Sequence, residues 1–452
     1  MSISFRSLLQ GTAWTIGAYG LSIVFRFVTS IVLARLLAPE LFGIMTIVYT
    51  LRAGIELTTD FGSHQNIIYH KNSEDPEFYN TAWTLQLIRN LILFAIFLLA
   101  AVPAAYFYQS HVLVYVIPIT ALSFVFTGLA SVSPNLLQKR LQFAKANAFE
   151  VISGLIGSIS SIVGALISPT IWGLVSGYIV SSAASMIGTY FLLPDVKQRF
   201  YISKRYARQI AHFGKWIFVS SLTFFLAMNF DRLYLAKITP LAVVGVYAIA
   251  RNISDLVGSL FLRLGSTLLF PFISAHSHMP RDEFRKELAP IRLKFLLVAA
   301  FGYSLIVSGA DLAIKILYDQ RYHAASWMVP VLIIGAWPSI LASLGESTLL
   351  GLGKPSYTAI CNSVKFAILL IGLPVGFGTA GLFGAIVVVA CADLGRYIPV
   401  LIGQIRERFS FGRQDLLVTV VAIALVVFWE WLRWEAGFGV SFETLPFFAA
   451  AN

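Results

Sequence analysis

The chain has 452 residues, of which 58% are hydrophobic and 12% are charged, and its mean hydropathy is +0.78. A soluble globular protein of this size needs more polar surface, so the composition excludes that class and indicates a membrane protein. The 33 basic residues exceed the 22 acidic ones, which gives a formal net charge of +11. We attribute this excess to basic cytoplasmic loops rather than to a nucleic-acid partner, and we predict no nucleic-acid binding.

Thirteen hydrophobic runs are long enough to cross a bilayer, which takes about 20 mostly apolar residues. The first six predicted spans are 11–33, 42–60, 82–103, 112–132, 147–168 and 172–193. The next six are 213–235, 241–262, 291–313, 326–350, 357–376 and 380–402, and a thirteenth is 415–434. The tail after Glu435 is too short to span again. The sequence therefore predicts an all-α polytopic membrane protein.

The basic residues between the spans predict the orientation. If the N-terminus is cytoplasmic, twenty lysines and arginines lie in cytoplasmic segments and five lie outside. Basic residues collect in cytoplasmic loops, so this asymmetry predicts a cytoplasmic N-terminus.

An internal repeat divides the chain into two halves. The segment Leu33-Ala34-Arg35 with Gly43 matches Leu235-Ala236-Lys237 with Gly245, at an offset of 202 residues in each case. Six spans separate the copies, so both halves have the same orientation, with a pseudo-twofold axis along the membrane normal and a site between the halves. We predict an N-lobe at 1–193, a cytoplasmic linker at 194–212, a C-lobe at 213–402 and an extra helix with its tail at 403–452.

The segment from Leu33 to Gly43, LARLLAPELFG, resembles the start of the polysaccharide transporter (Wzx-type oligosaccharide flippase) family, and Thr59-Asp60-Phe61-Gly62 is similar to the end of that family's second helix. The resemblance implies the fold of multidrug extruders and lipid-linked-sugar flippases, in which two six-helix lobes form a V. It also implies translocation of an undecaprenyl-diphosphate-linked oligosaccharide from the inner to the outer leaflet by alternating access. The thirteenth span departs from the twelve or fourteen of relatives.

Ionisable side chains inside the predicted spans are candidates for the functional site, because each costs at least ~2.5 kcal/mol on insertion scales and such residues usually face a cavity. The candidate substrate-binding cations are Arg26, Arg52, Arg89, Arg232, Arg251, Lys365 and Arg396. The candidate coupling or salt-bridge acids are Glu56, Asp60, Asp231, Asp255 and Asp393. Among the cations, Arg26 has no acid three or four residues away and is the best candidate for an unpaired cavity cation.

Two of these groups repeat an arginine–acid spacing. Arg52, Glu56 and Asp60 are four residues apart and share a helix face, and Arg251 and Asp255 have the same spacing. Each pair is either a neutralised structural pair or a switch, in which the arginine leaves its acid for a substrate phosphate or the acid takes up a coupling proton. The sequence leaves both interpretations open.

The balance of charge within the spans favours an anionic substrate. With Arg263, eight basic residues are set against the five candidate acids and Glu346. Arginine dominates, as expected for bidentate contact with phosphate. An extruder of cationic drugs should show the opposite balance.

Three functions remain open at this stage. The leading hypothesis is a flippase for lipid-linked oligosaccharide in surface polysaccharide biosynthesis. The alternatives are a multidrug or small-molecule antiporter of the same fold, and a membrane glycosyltransferase or polysaccharide polymerase; the last lacks support because the chain has no Asp-x-Asp and no glycine-rich nucleotide loop. We predict a monomeric non-enzyme of the bacterial inner membrane with no cofactor or metal. Its expected partners are membrane lipids, H⁺ or Na⁺, and the polymerase and glycosyltransferases of the same pathway.

Overall fold

The computed structural model describes residues 5–59, 67, 73–140, 142–276, 279–443 and 445. Within these ranges the chain forms thirteen α-helices, a short 3₁₀ helix at Gln320–Tyr322, and no β-strand. The helices are α1 (Phe5–Leu36), α2 (Pro39–Thr58), α3 (Pro76–Phe107), α4 (Leu113–Leu129), α5 (Ser133–Lys139), α6 (Phe143–Ile167), α7 (Ile171–Leu192), α8 (Lys204–Ile238), α9 (Leu241–His276), α10 (Arg281–Leu317), α11 (Ala325–Gly351), α12 (Ser356–Arg406) and α13 (Gly412–Glu435). The prediction of an all-α protein is confirmed.

The predicted spans all fall on these helices, and two of them fall on α12. This helix is broken at Ala380 and at Gly381, where φ is +57° and ψ is −142°. Glycine tolerates this backbone region, which other residues avoid. The halves 356–379 and 382–406 correspond to the predicted spans 357–376 and 380–402.

Eight of the described helices are long and apolar enough to cross a membrane, namely α3, α6, α7, α9, α10, α11, α12 and α13. The bent pair of α4 and α5, with an angle of 49° between them, makes a ninth if it is one span.

The helix boundaries follow the internal repeat. Helix α1 ends at Leu36 and α8 at Ile238, while α2 begins at Pro39 and α9 at Leu241, so both boundaries recur after 202 residues. Gly43 has a packing role in this motif, since a Cβ atom there would lie 2.2 Å from the backbone oxygen of Leu241. Only glycine allows the two backbones to approach so closely.

The chain forms two compact units. Unit 1 comprises Met1–Phe225 and Leu235–Val244, and unit 2 comprises Leu226–Tyr234 and Gly245–Asn452. Helix α8 contributes to both. The lobe and linker boundaries expected from the sequence remain a prediction.

Unit 1 has a hydrophobic core formed mainly by α1, α2, α3 and α4. Phe97 of α3 and Phe124 of α4 are fully buried, and their rings meet edge to face with centroids 5.6 Å apart. Helices α6 and α7 pack through small residues: a Cβ atom at Gly164 would lie 2.3 Å from the backbone oxygen of Gly173. Such close backbone approach is typical of helix pairs in membranes, where dispersion rather than water exclusion drives packing.

In unit 2, two buried ion pairs hold α13 against α10. Arg292 of α10 lies 2.5 Å from Asp415 of α13, and Arg433 of α13 lies 2.5 Å from Asp311 of α10. The pairs are 19 residues apart on α10 and 18 on α13, or about 28 Å and 27 Å of helix. The two helices therefore run parallel, as expected for two odd-numbered spans, and the thirteenth helix is part of the packed structure of unit 2.

Candidate functional site

In unit 1, the half-buried side chain of Arg52 contacts a group of aromatic and hydroxyl side chains. Its Nη1 atom lies 3.1 Å from Oε2 of Glu56, and its Nε atom donates a hydrogen bond to Ser123 at 3.0 Å. Its guanidinium also lies 4.9 Å from the ring centroid of Phe124 and 5.9 Å from that of Tyr178. The Arg52 and Glu56 side chains keep 20% and 31% of their surface exposed, so the pair remains accessible.

Two tyrosines that were not predicted from the sequence belong to this group of side chains around Arg52. The Tyr178 hydroxyl donates to Ser123 at 3.2 Å, and the Tyr49 ring lies 5.2 Å from that of Tyr178. Tyr49 is 42% exposed. Tyr49 precedes Arg52 by one helical turn on α2, and this spacing is the only signal in the sequence that could have revealed it.

Arg89 binds backbone rather than an acid side chain in the contacts that are resolved. Its Nε atom donates to the carbonyl oxygen of Thr59 at 2.8 Å, and its Nη2 atom donates to the carbonyl oxygen of Glu56. These are C-terminal carbonyls of α2, which lack partners within the helix and carry its negative dipole end. Arg89 therefore caps α2. The predicted partner Asp60 lies outside the described residues.

Arg26 of α1 is exposed and forms no ion pair with any residue that the structure describes. This matches the absence of an acid at helical spacing in the sequence. Because every other candidate cation of the described chain contacts an acid or helix carbonyls, Arg26 carries the least compensated charge of the set.

In unit 2, α8 and α9 share a network of four charged side chains. Asp231 is 1% exposed and lies 3.4 Å from Nε of Arg251, and it accepts a hydrogen bond from the Tyr247 hydroxyl. Asp255 lies 3.4 Å from Arg251 and 2.6 Å from Arg232. Adjacent residues point in different directions on a helix, yet both Asp231 and Arg232 contact α9 and join the same network.

A second network joins α11 with the two halves of α12. The Lys365 ammonium lies 2.9 Å from both carboxylate oxygens of Asp393. Arg396 makes a bidentate contact with Glu346, at 2.9 and 2.8 Å, and lies 3.9 Å from Asp393. All four residues are buried. Asp393 and Arg396 are three residues apart, a helical spacing that allows them to contact, but Lys365 has no acid at such a spacing.

These contacts change how positive charge is distributed over the candidate residues. In unit 2, the four cations Arg232, Arg251, Lys365 and Arg396 face four acids, Asp231, Asp255, Asp393 and Glu346. A buried cation that is paired with a carboxylate is neutralised, so it offers little net charge to a ligand. In unit 1, the candidate cations are Arg26, Arg52 and Arg89. The only candidate acid that the structure describes there is Glu56, which pairs with Arg52. With Glu346 included, cations and acids are thus equal in number in unit 2, whereas in the described part of unit 1 three candidate cations are set against one candidate acid.

No group of three or more metal-binding side chains occurs in the described part of the chain.

Comparison with known proteins agrees with this architecture. Residues 32–327 match the family described as "Polysaccharide biosynthesis protein". The chain belongs to this family. The family resemblance inferred from Leu33 to Gly43 is thus confirmed, and the chain is a multi-pass membrane protein of that family.

Among characterised relatives, the chain is similar to the succinoglycan biosynthesis transport protein ExoT of Rhizobium meliloti (strain 1021), with 21% identity over 73% of this chain and 66% of that protein. It is also similar to the lipopolysaccharide biosynthesis protein WzxC of Escherichia coli (strain K12), with 23% identity over 83% of this chain and 76% of that protein. The chain thus spans about two thirds to three quarters of the length of these relatives.

Two solved structures show the fold. The lipid II flippase MurJ, in an inward closed conformation, superposes with a TM-score of 0.71 and 13% identity over 93% of this chain and 92% of that one. An inward-facing multidrug resistance MATE family transporter of the MOP superfamily gives a TM-score of 0.68 and 14% identity over 92% of this chain and 98% of that one. At this identity the likeness establishes the fold, which confirms the predicted class of two helical lobes.

Proposed function

We propose that this chain is a flippase that moves a lipid-linked oligosaccharide repeat unit from the inner to the outer leaflet of a bacterial cytoplasmic membrane, by alternating access. Its membership of a polysaccharide biosynthesis family supports this proposal, as do relatives named for the transport of succinoglycan and for lipopolysaccharide biosynthesis. The likeness in fold to a lipid II flippase adds that such a fold accommodates a lipid-linked substrate. On this proposal the chain is a transporter and not an enzyme.

The observation that carries the proposal is the accessible, undercompensated positive charge of unit 1. A diphosphate carries two or more negative charges, and arginine contacts phosphate through two parallel hydrogen bonds. Arg26 is exposed, and Arg52 is reachable beside the exposed ring of Tyr49. We assign the diphosphate to Arg26 and Arg52, and the first sugars to Tyr49 and Glu56, which supply a ring face and a carboxylate.

This assignment narrows the set of candidate residues. Arg232, Arg251, Lys365 and Arg396 are each held by a carboxylate, so we assign them to the structure of unit 2 rather than to the phosphate. The coupling ion, the polymerase and glycosyltransferase partners, and the monomeric state remain predictions. The antiporter alternative predicts that loss of positive charge in unit 1 leaves transport of its substrate intact.

Replacement of Arg26 with alanine is expected to reduce polysaccharide export by about 10- to 150-fold. This range corresponds to loss of one charge-assisted hydrogen bond of ~1.5–3 kcal/mol. Arg26→Lys should recover only part of the activity, because an ammonium lacks the bidentate fork. Surface polysaccharide is measured in a strain whose chromosomal copy is deleted, with membrane levels of each variant quantified.

Arg263→Ala is the matched control, because Arg263 is also an exposed arginine on a membrane helix. It should retain most of the export. Full export by Arg26→Ala, at normal protein levels, would exclude Arg26 from the phosphate site and would leave Arg52 as its only described candidate in unit 1.

We also propose that the N-terminus is cytoplasmic, because this orientation places twenty basic residues in cytoplasmic segments and five outside. In a background without Cys361 and Cys391, cysteine at position 204 should be protected from a membrane-impermeant thiol reagent in intact cells. Cysteine at position 321 should react. The opposite pattern would invert the proposed orientation and the direction of transport.

A further inference from the structure

The segment between α7 and α8 has an unusual surface. Residues 197–203 form no helix, and residues 204–208 are the first residues of α8; we call residues 197–208 the basic strap. The strap lies entirely in unit 1. Neither the candidate site nor the proposed transport cycle uses it.

Hydrogen bonds fix the strap against the start of α3. The backbone N–H groups of Arg199, Tyr201 and Ser203 donate to side-chain oxygens of α3, at 2.7, 3.1 and 3.1 Å. The acceptors are Asn80, Thr84 and Thr81, respectively, and all three are buried. The three donors are two residues apart, so the same edge of the strap faces α3 at each of them.

The strap nevertheless exposes three consecutive apolar residues. Phe200 is 75% exposed, Tyr201 is 43% exposed and Ile202 is 50% exposed. The ring centroids of Phe200 and Trp83 lie 5.2 Å apart, with the ring planes tilted by 55°. A run of three exposed apolar side chains on a fixed segment is unfavourable in water and indicates contact with another apolar phase or surface.

The strap is also strongly basic. Its exposed cations are Lys197, Arg199, Lys204, Arg205 and Arg208, and the strap contains no acid. Of the four acids close to the strap in sequence or at the start of α3, two are paired with Arg140: Glu74 at 3.5 Å and Asp195 at 3.6 Å. The other two are Glu77 and Asp75, which accepts a hydrogen bond from Tyr206 of the strap at 3.3 Å, so the five cations of the strap outnumber the acids that Arg140 does not contact.

The position of the strap along α3 gives its depth. Its hydrogen bonds reach α3 at residues 80–84, and the predicted hydrophobic span of α3 begins at residue 82. Helix α7 ends at Leu192, five residues before the strap begins. The strap therefore lies at the level where membrane helices leave the hydrocarbon, where tryptophan and tyrosine are enriched and basic side chains reach the headgroups.

We propose that the basic strap is a membrane-surface anchor that inserts Phe200 and Ile202 among the lipids and binds anionic phospholipid headgroups through its lysines and arginines. Apolar side chains flanked by basic ones are the composition of segments that lie in the interface of anionic bilayers. The anchor would fix the junction between α7 and α8 at the membrane surface. The inference depends on membrane localisation and not on the identity of the transported substrate.

The test uses the full-length protein, without Cys361 and Cys391, labelled with an environment-sensitive fluorophore at Ile202→Cys. It is reconstituted in vesicles that contain spin-labelled phosphatidylglycerol or spin-labelled phosphatidylcholine at the same mole fraction. We expect quenching by both lipids and stronger quenching by phosphatidylglycerol. Each basic residue near an anionic surface favours that lipid by a factor of up to about five.

Arg199→Gln/Lys204→Gln/Arg205→Gln should bring the two quenching curves together, and high salt should do the same. Arg285→Gln/Lys286→Gln/Lys294→Gln removes three exposed charges from α10 and is the matched control, which should keep the preference at position 202. A label that neither lipid quenches would refute insertion. Equal quenching by the two lipids in the parent protein would refute headgroup selectivity, as would loss of the preference in the control.

Discussion

Arg396→Ala is expected to destabilise the protein by about 3–5 kcal/mol, the usual cost of removing one partner of a buried ion pair. Arg396 makes two hydrogen bonds with Glu346, and each side chain is only 9% exposed. Without arginine, the Glu346 carboxylate would remain buried without its principal partner. The thermal midpoint of the detergent-solubilised protein, followed by the loss of the monodisperse peak in size exclusion, should fall accordingly.

The double variant Arg396→Met/Glu346→Leu distinguishes a lost ion pair from lost packing. It removes both charges and keeps similar side-chain volumes, so it should recover most of the stability lost in Arg396→Ala. Recovery of stability with normal export would support the assignment of this pair to structure. A double variant that is stable but inactive would instead show that Arg396 or Glu346 takes part in transport.

The helices could be predicted from the sequence because hydrophobic runs of about 20 residues have few alternatives in a membrane. The predicted spans coincide with helices, and the offset of 202 residues recurs in the boundaries of α1, α2, α8 and α9. Ion pairs at helical spacing could also be predicted from the sequence: the charged atoms of Arg52 and Glu56 lie 3.1 Å apart, and those of Arg251 and Asp255 lie 3.4 Å apart. Both kinds of prediction depend on local sequence alone.

Contacts between helices could not be predicted in this way. Lys365 and Asp393 are 28 residues apart in sequence, and Arg396 and Glu346 are 50 residues apart. Their pairing depends on how α11 and the halves of α12 pack, which no spacing encodes. In unit 2 each candidate cation lies within 4 Å of a carboxylate, and for Lys365 and Arg396 the nearest carboxylate belongs to a distant part of the sequence.

The buried pairs of α10 and α13 were missed for a different reason. Arg292 and Arg433 lie at the ends of predicted spans, where basic side chains usually reach the interface, yet they are 2% and 9% exposed. The predicted spans also contain four further acids, Glu150, Asp311, Asp415 and Glu430, and four further basic residues, Lys215, Arg292, Lys294 and Arg433. Within the bounds of the spans, ten acids are therefore set against eleven basic residues, so the argument for an anionic substrate depends on where charge is exposed rather than on the count.

Arg52→Ala is expected to weaken binding of undecaprenyl diphosphate to the purified protein by about 10- to 150-fold, the loss of one charge-assisted hydrogen bond of ~1.5–3 kcal/mol. The Arg52 and Glu56 side chains are 20% and 31% exposed, so solvent should compensate Glu56 and limit the loss of stability. Binding is measured by equilibrium titration in nanodiscs, together with the thermal midpoint. An unchanged affinity would remove Arg52 from the phosphate site.

Glu56→Gln decides between the two roles that the Arg52–Glu56 pair allows. If Glu56 only competes with phosphate for Arg52, the neutral amide should release the guanidinium, which still has Ser123 at 3.0 Å to orient it, and affinity for undecaprenyl diphosphate should rise. Export should then fall only to the extent that tighter binding slows release of the substrate. If Glu56 instead carries a coupling proton, the amide cannot titrate, and export should cease while affinity stays at or above that of the parent. Measuring affinity and export on the same variant therefore separates a competing acid from a proton carrier, and a fall in affinity would contradict both roles.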